Sequence, residues 1–170
     1  MHGLWDPELG LGAKLFLPLV LGGALGGINI GADLYTHMTQ RVAEQLHLPS
    51  IHIAFPLSVP IYLGGAILVT IIYYFVLLPP LYWLIAVRLK RNEAAVYWTL
   101  GTLLALVEPL TQDLSDVTRY GLLATPGLAC DLALNFGQVA FLRRFGLIAA
   151  ILFRAGYYAV WHILYGYLAA

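Results

Sequence analysis

One arginine constrains the fold of this chain more than any other residue. Residues 145–168 form an apolar run that is long enough to cross a bilayer as a helix, and Arg154 lies near its middle. A charge at that depth costs at least ~2.5 kcal/mol on membrane-insertion scales. The helix must therefore turn Arg154 away from lipid, toward other helices of the same protein or toward a partner.

Polar and aromatic side chains accompany this arginine on one face of the predicted helix. With 3.6 residues per turn, six side chains fall within one arc of roughly 140°. The opposite face carries Leu, Ile, Ala and Phe. This pattern predicts a polar stripe that is buried against other helices, and the function depends on what that stripe faces. The stripe consists of Arg154, Tyr157, Tyr158, Trp161, His162 and Tyr165.

The composition indicates a membrane protein. Of the 170 residues, 61% are hydrophobic and only 11% are charged, against about 25% charged residues in soluble domains. We therefore predict an all-α, polytopic transmembrane bundle that forms a single domain over residues 1–170. Nine basic and nine acidic residues cancel, which excludes the charge footprint of a nucleic-acid-binding protein. The single cysteine, Cys130, excludes an internal disulfide and a cysteine-based zinc site, so no metal site is predicted and any cofactor is unknown.

Five membrane spans are predicted, at about 14–35, 61–87, 94–111, 121–141 and 145–168. Adjacent prolines, Pro79 and Pro80, predict a kink or break in the second span. Basic residues orient the spans because they concentrate on the cytoplasmic side. This rule places the N-terminus in the cytoplasm and the C-terminus outside, in what we expect to be a prokaryotic inner membrane. The inner side holds Lys14, Arg88, Lys90, Arg91, Arg143 and Arg144, and the outer side holds Arg41 and Arg119.

The first span carries glycines four residues apart, which make one face of that helix nearly bare backbone. Such spacing lets another helix approach closely. Besides the lipid bilayer, we therefore expect partners in the form of other membrane subunits or a second copy, bound through the Gly22–Gly31 face. A proline-rich loop follows near residues 49–60, and we expect His47 and His52 there to be solvated.

An ion pair is predicted between the fourth and fifth spans. At 1.5 Å per residue, Asp131 and Arg154 both lie roughly 15 Å from the inner ends of their helices. A short turn joins the two helices, so they are antiparallel neighbours. Two unpaired charges at this depth would be far more costly than a pair, so Asp131 and Arg154 are expected to contact each other.

A second polar layer is predicted nearer the outer face. Helix tilt absorbs the differences in height among its members. Burial of carboxylates with an imidazole suits general acid–base chemistry, but the same groups can ligate a cation, carry protons, contact a quinone or simply hydrogen-bond one another. The layer consists of Glu108, His162 and Tyr158 as candidate catalytic residues, with Asp33, His37 and Gln112 around them.

Two short motifs resemble those of a known superfamily. The CAAX-protease and bacteriocin-processing superfamily of intramembrane glutamic endopeptidases has EExxxR on one helix, FxxxH on a later helix and a further histidine. Glu108 is similar to one glutamate of the first motif, and Tyr158 with His162 resembles the second. Val107 and Pro109 leave Glu108 without a second glutamate. The resemblance implies that Glu108 activates water and His162 stabilises the oxyanion, or that this chain is a divergent or inactive relative.

Three functions remain open from the sequence. The polar layer favours an intramembrane hydrolase-like enzyme. Short loops and the glycine face favour a non-catalytic structural or accessory subunit of a larger membrane complex. The interrupted second span favours a small transporter or ion-translocating subunit that uses Asp131 and Arg154 as a gate.

The predicted orientation can be tested by cysteine accessibility. In a Cys130→Ser background, Lys90→Cys should resist a membrane-impermeant thiol reagent added to the outside of intact cells. Arg119→Cys should react with the same reagent, because it lies in a predicted outer loop. Labelling at position 90 and protection at position 119 would reverse the orientation.

Overall fold

A computed structural model of the chain describes residues 10–112 and 114–169, without the side chains of Gln112 and Ala169. Every regular element in this part of the chain is helical. The α-helices are α1 (Leu11–Thr36), α2 (Met38–Gln45), α3 (Ser58–Thr70), α4 (Leu78–Tyr82), α5 (Glu93–Gln112), α6 (Leu114–Tyr120), α7 (Thr125–Phe145), α8 (Leu147–Tyr158) and α9 (Tyr165–Ala169). Between them lie π-helical segments at Ile71–Leu77, Trp83–Arg88 and Ala159–Leu164, and a 3-10 turn at Gly121–Leu123.

Four helices are long and apolar enough to cross a membrane, which confirms the all-α membrane bundle. They are Leu11–Thr36, Ser58–Arg88, Glu93–Thr111 and Leu147–Leu168. The remaining predicted span, which is the fourth in chain order, corresponds to α7, which is 21 residues long but carries several polar residues. It packs against α5 and α8, so its polar face meets other helices and need not be apolar. A membrane-spanning role for α7 remains a prediction, and its bounds are 125–145 rather than 121–141.

The second long helix, in which we expected a kink or a break, stays continuous across Pro79 and Pro80. Pro79 and Pro80 are the second and third residues of α4, and neither can donate a backbone hydrogen bond to the turn before it. The seven residues before α4 are π-helical, and so are the six after it. The wider π turns on both sides accommodate the two prolines within one continuous helix, Ser58–Arg88.

Helix α8 lies at the centre of the bundle, where it packs against α1, α7 and α3. Its residues Phe153, Arg154, Gly156 and Tyr157 are all buried. The expectation that the polar stripe faces other helices of the same chain is thus confirmed at Arg154 and Tyr157.

Glycines on both helices allow α1 and α8 to touch through their backbones. A Cβ atom at Gly22 would overlap the carbonyl oxygen of Phe153, and one at Gly156 would overlap the carbonyl oxygen of Leu19. A Cβ atom at Gly26 would lie 2.8 Å from the carbonyl oxygen of Tyr157. Small residues at these positions are therefore a condition for the central helix contact.

This contact changes the interpretation of the predicted partner surface. Gly22 and Gly26 are buried inside the chain, whereas Gly27 and Gly31 are exposed and meet nothing within 4 Å. Association with a second copy or with another subunit through the Gly22–Gly31 face remains a prediction for Gly27 and Gly31 alone.

Because α1 and α8 approach so closely, one added methyl group should change the thermal stability differently at Gly156, which lies in the contact, and at Gly64, which does not. Gly156→Ala should lower the thermal unfolding midpoint in detergent, because overpacking against backbone costs about 1–3 kcal/mol. Gly64→Ala is the matched control, since it stands in α3 with open space around it. That change should be neutral or slightly stabilising, because alanine is the better helix former. Equal shifts in both variants would contradict the backbone contact.

Candidate functional site

The site is built around a buried ion pair between α8 and α5. Arg154 donates from Nη1 to Oε1 of Glu108 at 2.6 Å and from Nη2 to Oε2 at 2.6 Å. The two side chains are 0% and 9% exposed. A two-pronged pair of this kind is among the strongest side-chain interactions, because both hydrogen bonds are charge-assisted and their geometry is fixed.

Three neutral groups complete the surroundings of the guanidinium. Its Nε donates to Oε1 of Gln138 at 2.8 Å, Nη2 donates to Oδ1 of Asn135 at 2.9 Å, and Nη1 donates to the hydroxyl of Tyr158 at 3.1 Å. Arginine has five N–H donors, and here each one has an acceptor. We call Arg154, Glu108, Gln138, Asn135 and Tyr158 the arginine network.

The long second helix supports this network from the other side. Gln138 donates from Nε2 to the hydroxyl of Thr70 at 2.8 Å and to the carbonyl oxygen of Ala150 at 3.2 Å. The hydroxyl of Tyr74 donates to Oδ1 of Asn135 at 3.2 Å. The guanidinium of Arg154 on α8 therefore bonds directly to α5 and α7. Its two acceptors on α7, Gln138 and Asn135, bond in turn to the helix that begins at α3.

The structure corrects the predicted partner of Arg154. Glu108 takes the place that we expected for Asp131, which instead accepts a hydrogen bond from the Tyr157 hydroxyl at 3.0 Å. That hydroxyl accepts in turn from Nδ2 of Asn29 on α1 at 2.8 Å. The rise per residue fixes the height of a side chain but not the direction in which it leaves the helix. On α7, the guanidinium meets Asn135, one turn away from Asp131.

A cavity of about 260 Å³ adjoins the arginine network. It lies between the C-terminal ends of α1 and α5, the first half of α7 and the π-helical segment after α8, with α2 and α6 beside it. We call it the polar cavity. Its lining includes Asp33, Glu108, Asp131, Tyr158, Trp161 and His162.

The polar cavity brings together part of the predicted polar layer. The three candidate catalytic residues, Glu108, Tyr158 and His162, line the same space as Asp33. His37 is exposed and does not line it: with φ of 53° it forms the left-handed turn between α1 and α2. The side chain of Gln112 lies outside the described residues.

Asp33 is buried and holds the end of α1 against two other segments. Its Oδ1 accepts from the backbone N–H of Thr39 at 2.7 Å, and its Oδ2 accepts from the Tyr165 hydroxyl at 2.7 Å. Thr39 lies in the first turn of α2, where a carboxylate is stabilised by unpaired N–H groups. Asp33 is thus both a structural cap and a charge at the cavity wall.

His162 lies in an aromatic cluster at one side of the cavity. Its ring stacks on Tyr62 at 4.3 Å and meets the edge of Tyr158 at 4.9 Å. His52 lies 5.7 Å away, ring centre to ring centre, and is only 8% exposed. The expectation that His52 is solvated is therefore wrong. The sequence holds one weak signal for this burial, the apolar residues Ile51 and Ile53 on either side.

The two imidazoles hold buried nitrogen atoms without hydrogen-bond partners among the described residues: both nitrogens of His52 and Nδ1 of His162. Burial lowers the pKa of His52 below its ordinary value, and the nearby Asp33 partly opposes that shift. A lowered pKa means that His52 is neutral at pH 7. In the unfolded chain it takes up a proton more readily, so its contribution to stability is complete above about pH 6.5 and declines in more acidic solution.

Among the described residues, no group of three or more His, Cys, Asp and Glu side chains is placed to hold a metal ion. Comparison of the chain with protein-family models, with curated proteins and with solved structures gives no match. The chemistry of the site must therefore be argued from its own residues.

The arginine network predicts which substitutions the fold tolerates. Glu108→Leu should lower the free energy of unfolding by about 3–5 kcal/mol, because it leaves a buried guanidinium without its counter-ion. Glu108→Leu combined with Arg154→Met should recover part of that loss, since an apolar pair suits a low-dielectric interior. Unfolding in mixed micelles would measure the free energy of unfolding of the wild type and of the two variants. A double variant no more stable than Glu108→Leu would show that the pair is not coupled.

Proposed function

We propose that the polar cavity binds a small polar solute and that the protein is a membrane transporter or the solute-binding part of one. The observation that carries this proposal is a space of about 260 Å³ that is lined by both polar and apolar side chains and lies beside an arginine network whose donors are already satisfied. The network needs nothing from the cavity for its own hydrogen bonding. The space is concave and partly open to the outside of the bundle, which is the usual form of a small-molecule site.

The size of the cavity suits a small metabolite. An apolar cavity of about 150 Å³ is enough to hold benzene, and pockets for drug-sized ligands begin near 300 Å³. The polar cavity lies between these sizes, so we expect an occupant on the order of ten non-hydrogen atoms. With the predicted orientation, in which the N-terminus is cytoplasmic, the cavity lies toward the outer half of the membrane.

Catalysis by Glu108 is less well supported. A general base must accept a proton, and both carboxylate oxygens of Glu108 are held by Arg154. An intramembrane hydrolase is our second candidate, because Glu108, Tyr158 and His162 line one cavity as the endopeptidase resemblance requires. That function would require Arg154 to release one oxygen of Glu108 when a substrate binds.

The accessory-subunit hypothesis loses part of its support. Gly22 and Gly26, which made the first span look like a surface for a partner, pack against α8 of the same chain. A partner surface at Gly27 and Gly31 would be compatible with a transporter, so these two proposals do not exclude each other.

Filling the cavity provides a test of solute binding. Gly127 lines the cavity, and a Cβ atom there would meet nothing within 4 Å. Gly127→Phe should therefore place a ring in the cavity. Gly64→Phe is the matched control, because its position is exposed on a membrane-crossing helix with equally open surroundings. The purified proteins would be screened by thermal shift against a library of small polar metabolites.

We expect some library members to raise the unfolding midpoint of the wild type and of Gly64→Phe but not of Gly127→Phe. A ligand at 100 times its dissociation constant stabilises by about 2.7 kcal/mol, which is measurable. Ligands that act on all three proteins alike, or no active ligand at all, would contradict the proposal. A Glu108→Gln variant that keeps its unfolding midpoint but loses hydrolysis of membrane peptides would favour the hydrolase instead.

A further inference from the structure

We propose that an anionic phospholipid binds at the end of the bundle opposite the polar cavity, with its phosphate held by Arg143. The inference does not depend on the proposed solute binding. The polar cavity lies at the C-terminal end of α5 and the first half of α7. Arg143 lies in the last turn of α7, beside the start of α5.

Basic side chains collect where the helix Ser58–Arg88 ends, α5 begins and α7 ends. Five of them lie in these segments and in the loop before α5, against one described carboxylate, Glu93. Ring contacts join the elements here, since Tyr82 and Tyr97 lie 6.3 Å apart, ring centre to ring centre. We call this region the basic end. Its basic residues are Arg88, Lys90, Arg91, Arg143 and Arg144.

The opposite end of the bundle has a different charge balance. Two arginines lie there, Arg41 on α2 and Arg119 on α6. They are accompanied by the carboxylates of Asp33, Glu44 and Asp116. Positive charge is therefore concentrated at one end, where it attracts anionic headgroups, and the other end offers arginines for comparison.

Aromatic rings hold Arg143 in position at the basic end. Its Cζ lies 4.9 Å from the centre of the Tyr97 ring and 5.3 Å from that of Trp98. Tyr97 is itself fixed, because its hydroxyl donates to the carbonyl oxygen of Val139 at 2.8 Å. A guanidinium over a ring is held by the attraction between its charge and the ring face, which leaves its N–H groups for other partners.

The N–H groups of Arg143 have no protein partner in the part of the chain that the structure describes. The side chain is half-buried, yet it forms neither a salt bridge nor a hydrogen bond with a described residue. Arg154 differs in this respect, since each of its donors has an acceptor. The planar fork of donors on an arginine matches the oxygen atoms of a phosphate group. Arg143 is thus oriented by the protein and open to an anionic ligand.

The surroundings favour a lipid over a soluble phosphate compound. Trp83 and Trp98 are both exposed, and tryptophan is enriched at the level of lipid headgroups. Cζ of Arg88 lies 5.6 Å from the centre of the Trp83 ring, so a second arginine is held beside an exposed tryptophan. Leu84 and Val87 on the same helix are also exposed and offer apolar surface to acyl chains. A soluble anion would make no use of these apolar side chains.

Three probes separate charge, headgroup and acyl chains. Dioleoylphosphatidylglycerol is anionic, dioleoylphosphatidylcholine has the same chains without net charge, and glycerol phosphate is an anion without chains. Each would be added to the full-length protein in an uncharged detergent, and native mass spectrometry would count the molecules that stay bound. The anionic lipid should be retained about tenfold more strongly than the zwitterionic lipid. Glycerol phosphate should neither bind nor displace it.

Variants test whether Arg143 forms the site. Arg143→Gln should weaken retention of the anionic lipid severalfold without changing that of the zwitterionic lipid. Arg119→Gln is the matched control, because it removes the same charge from an exposed position at the other end. Arg143→Lys should restore only part of the retention, since lysine keeps the charge but lacks the planar fork and its stacking on the rings.

A second variant keeps the test decisive if Arg143 proves necessary for folding. Lys90→Gln combined with Arg91→Gln removes two charges from exposed positions in the loop before α5. This double variant should also weaken retention of the anionic lipid. Unfolding midpoints measured without lipid would show which variants are folded.

Several outcomes would overturn the lipid site. Equal retention of the two lipids would do so, as would equal losses in Arg143→Gln and Arg119→Gln. Full retention by Arg143→Lys would show that net charge alone attracts the lipid. Displacement by glycerol phosphate would identify a soluble anion instead. Retention should be unchanged in Gly127→Phe, which alters only the polar cavity, so this proposal and solute binding can fail separately.

Discussion

The structure depends on a charge that has no access to water. Arg154 is completely buried, and it is tolerated because Glu108 neutralises it and because neutral acceptors take its remaining donors. The acceptors come from three helices: Glu108 from α5, Gln138 and Asn135 from α7, and Tyr158 from the next turn of α8. The guanidinium therefore fixes the rotation of three helices, which apolar packing alone would leave weakly specified.

Helix α8 is held in the bundle by two kinds of contact. On one side, glycines bring its backbone against α1, so that this interface is shaped by the absence of side chains. On the other side, long polar side chains reach across to α5 and α7. The first contact sets how closely the helices approach, and the second sets their rotation. The polar cavity lies where both contacts end, near the C-terminal ends of α1 and α5.

Departures from regular α-helix accompany this polar region. Trp161 and His162 lie in the π-helical segment Ala159–Leu164, and Tyr74 lies in the π-helical segment Ile71–Leu77. Segments of this kind widen a helix by one residue per turn and are frequent at functional sites, because they turn side chains to new directions. In this protein they place Trp161 and His162 at the cavity and Tyr74 against Asn135. The position of Trp161 and His162 in a π-helical segment supports the proposed solute site.

The sequence by itself determined the class of the fold and the direction of the polar stripe. Long apolar runs must be helical in lipid, because every backbone group needs a partner, and Arg154 must face inward because lipid cannot solvate it. Only the tertiary structure decided that Glu108, not Asp131, meets Arg154, and that His52 is buried while His37 is exposed. The physical reason is that periodicity and rise give the face and the height of a side chain within its own helix. The rotation of one helix against another, and the path of a loop such as residues 46–57, depend on packing that local sequence does not encode.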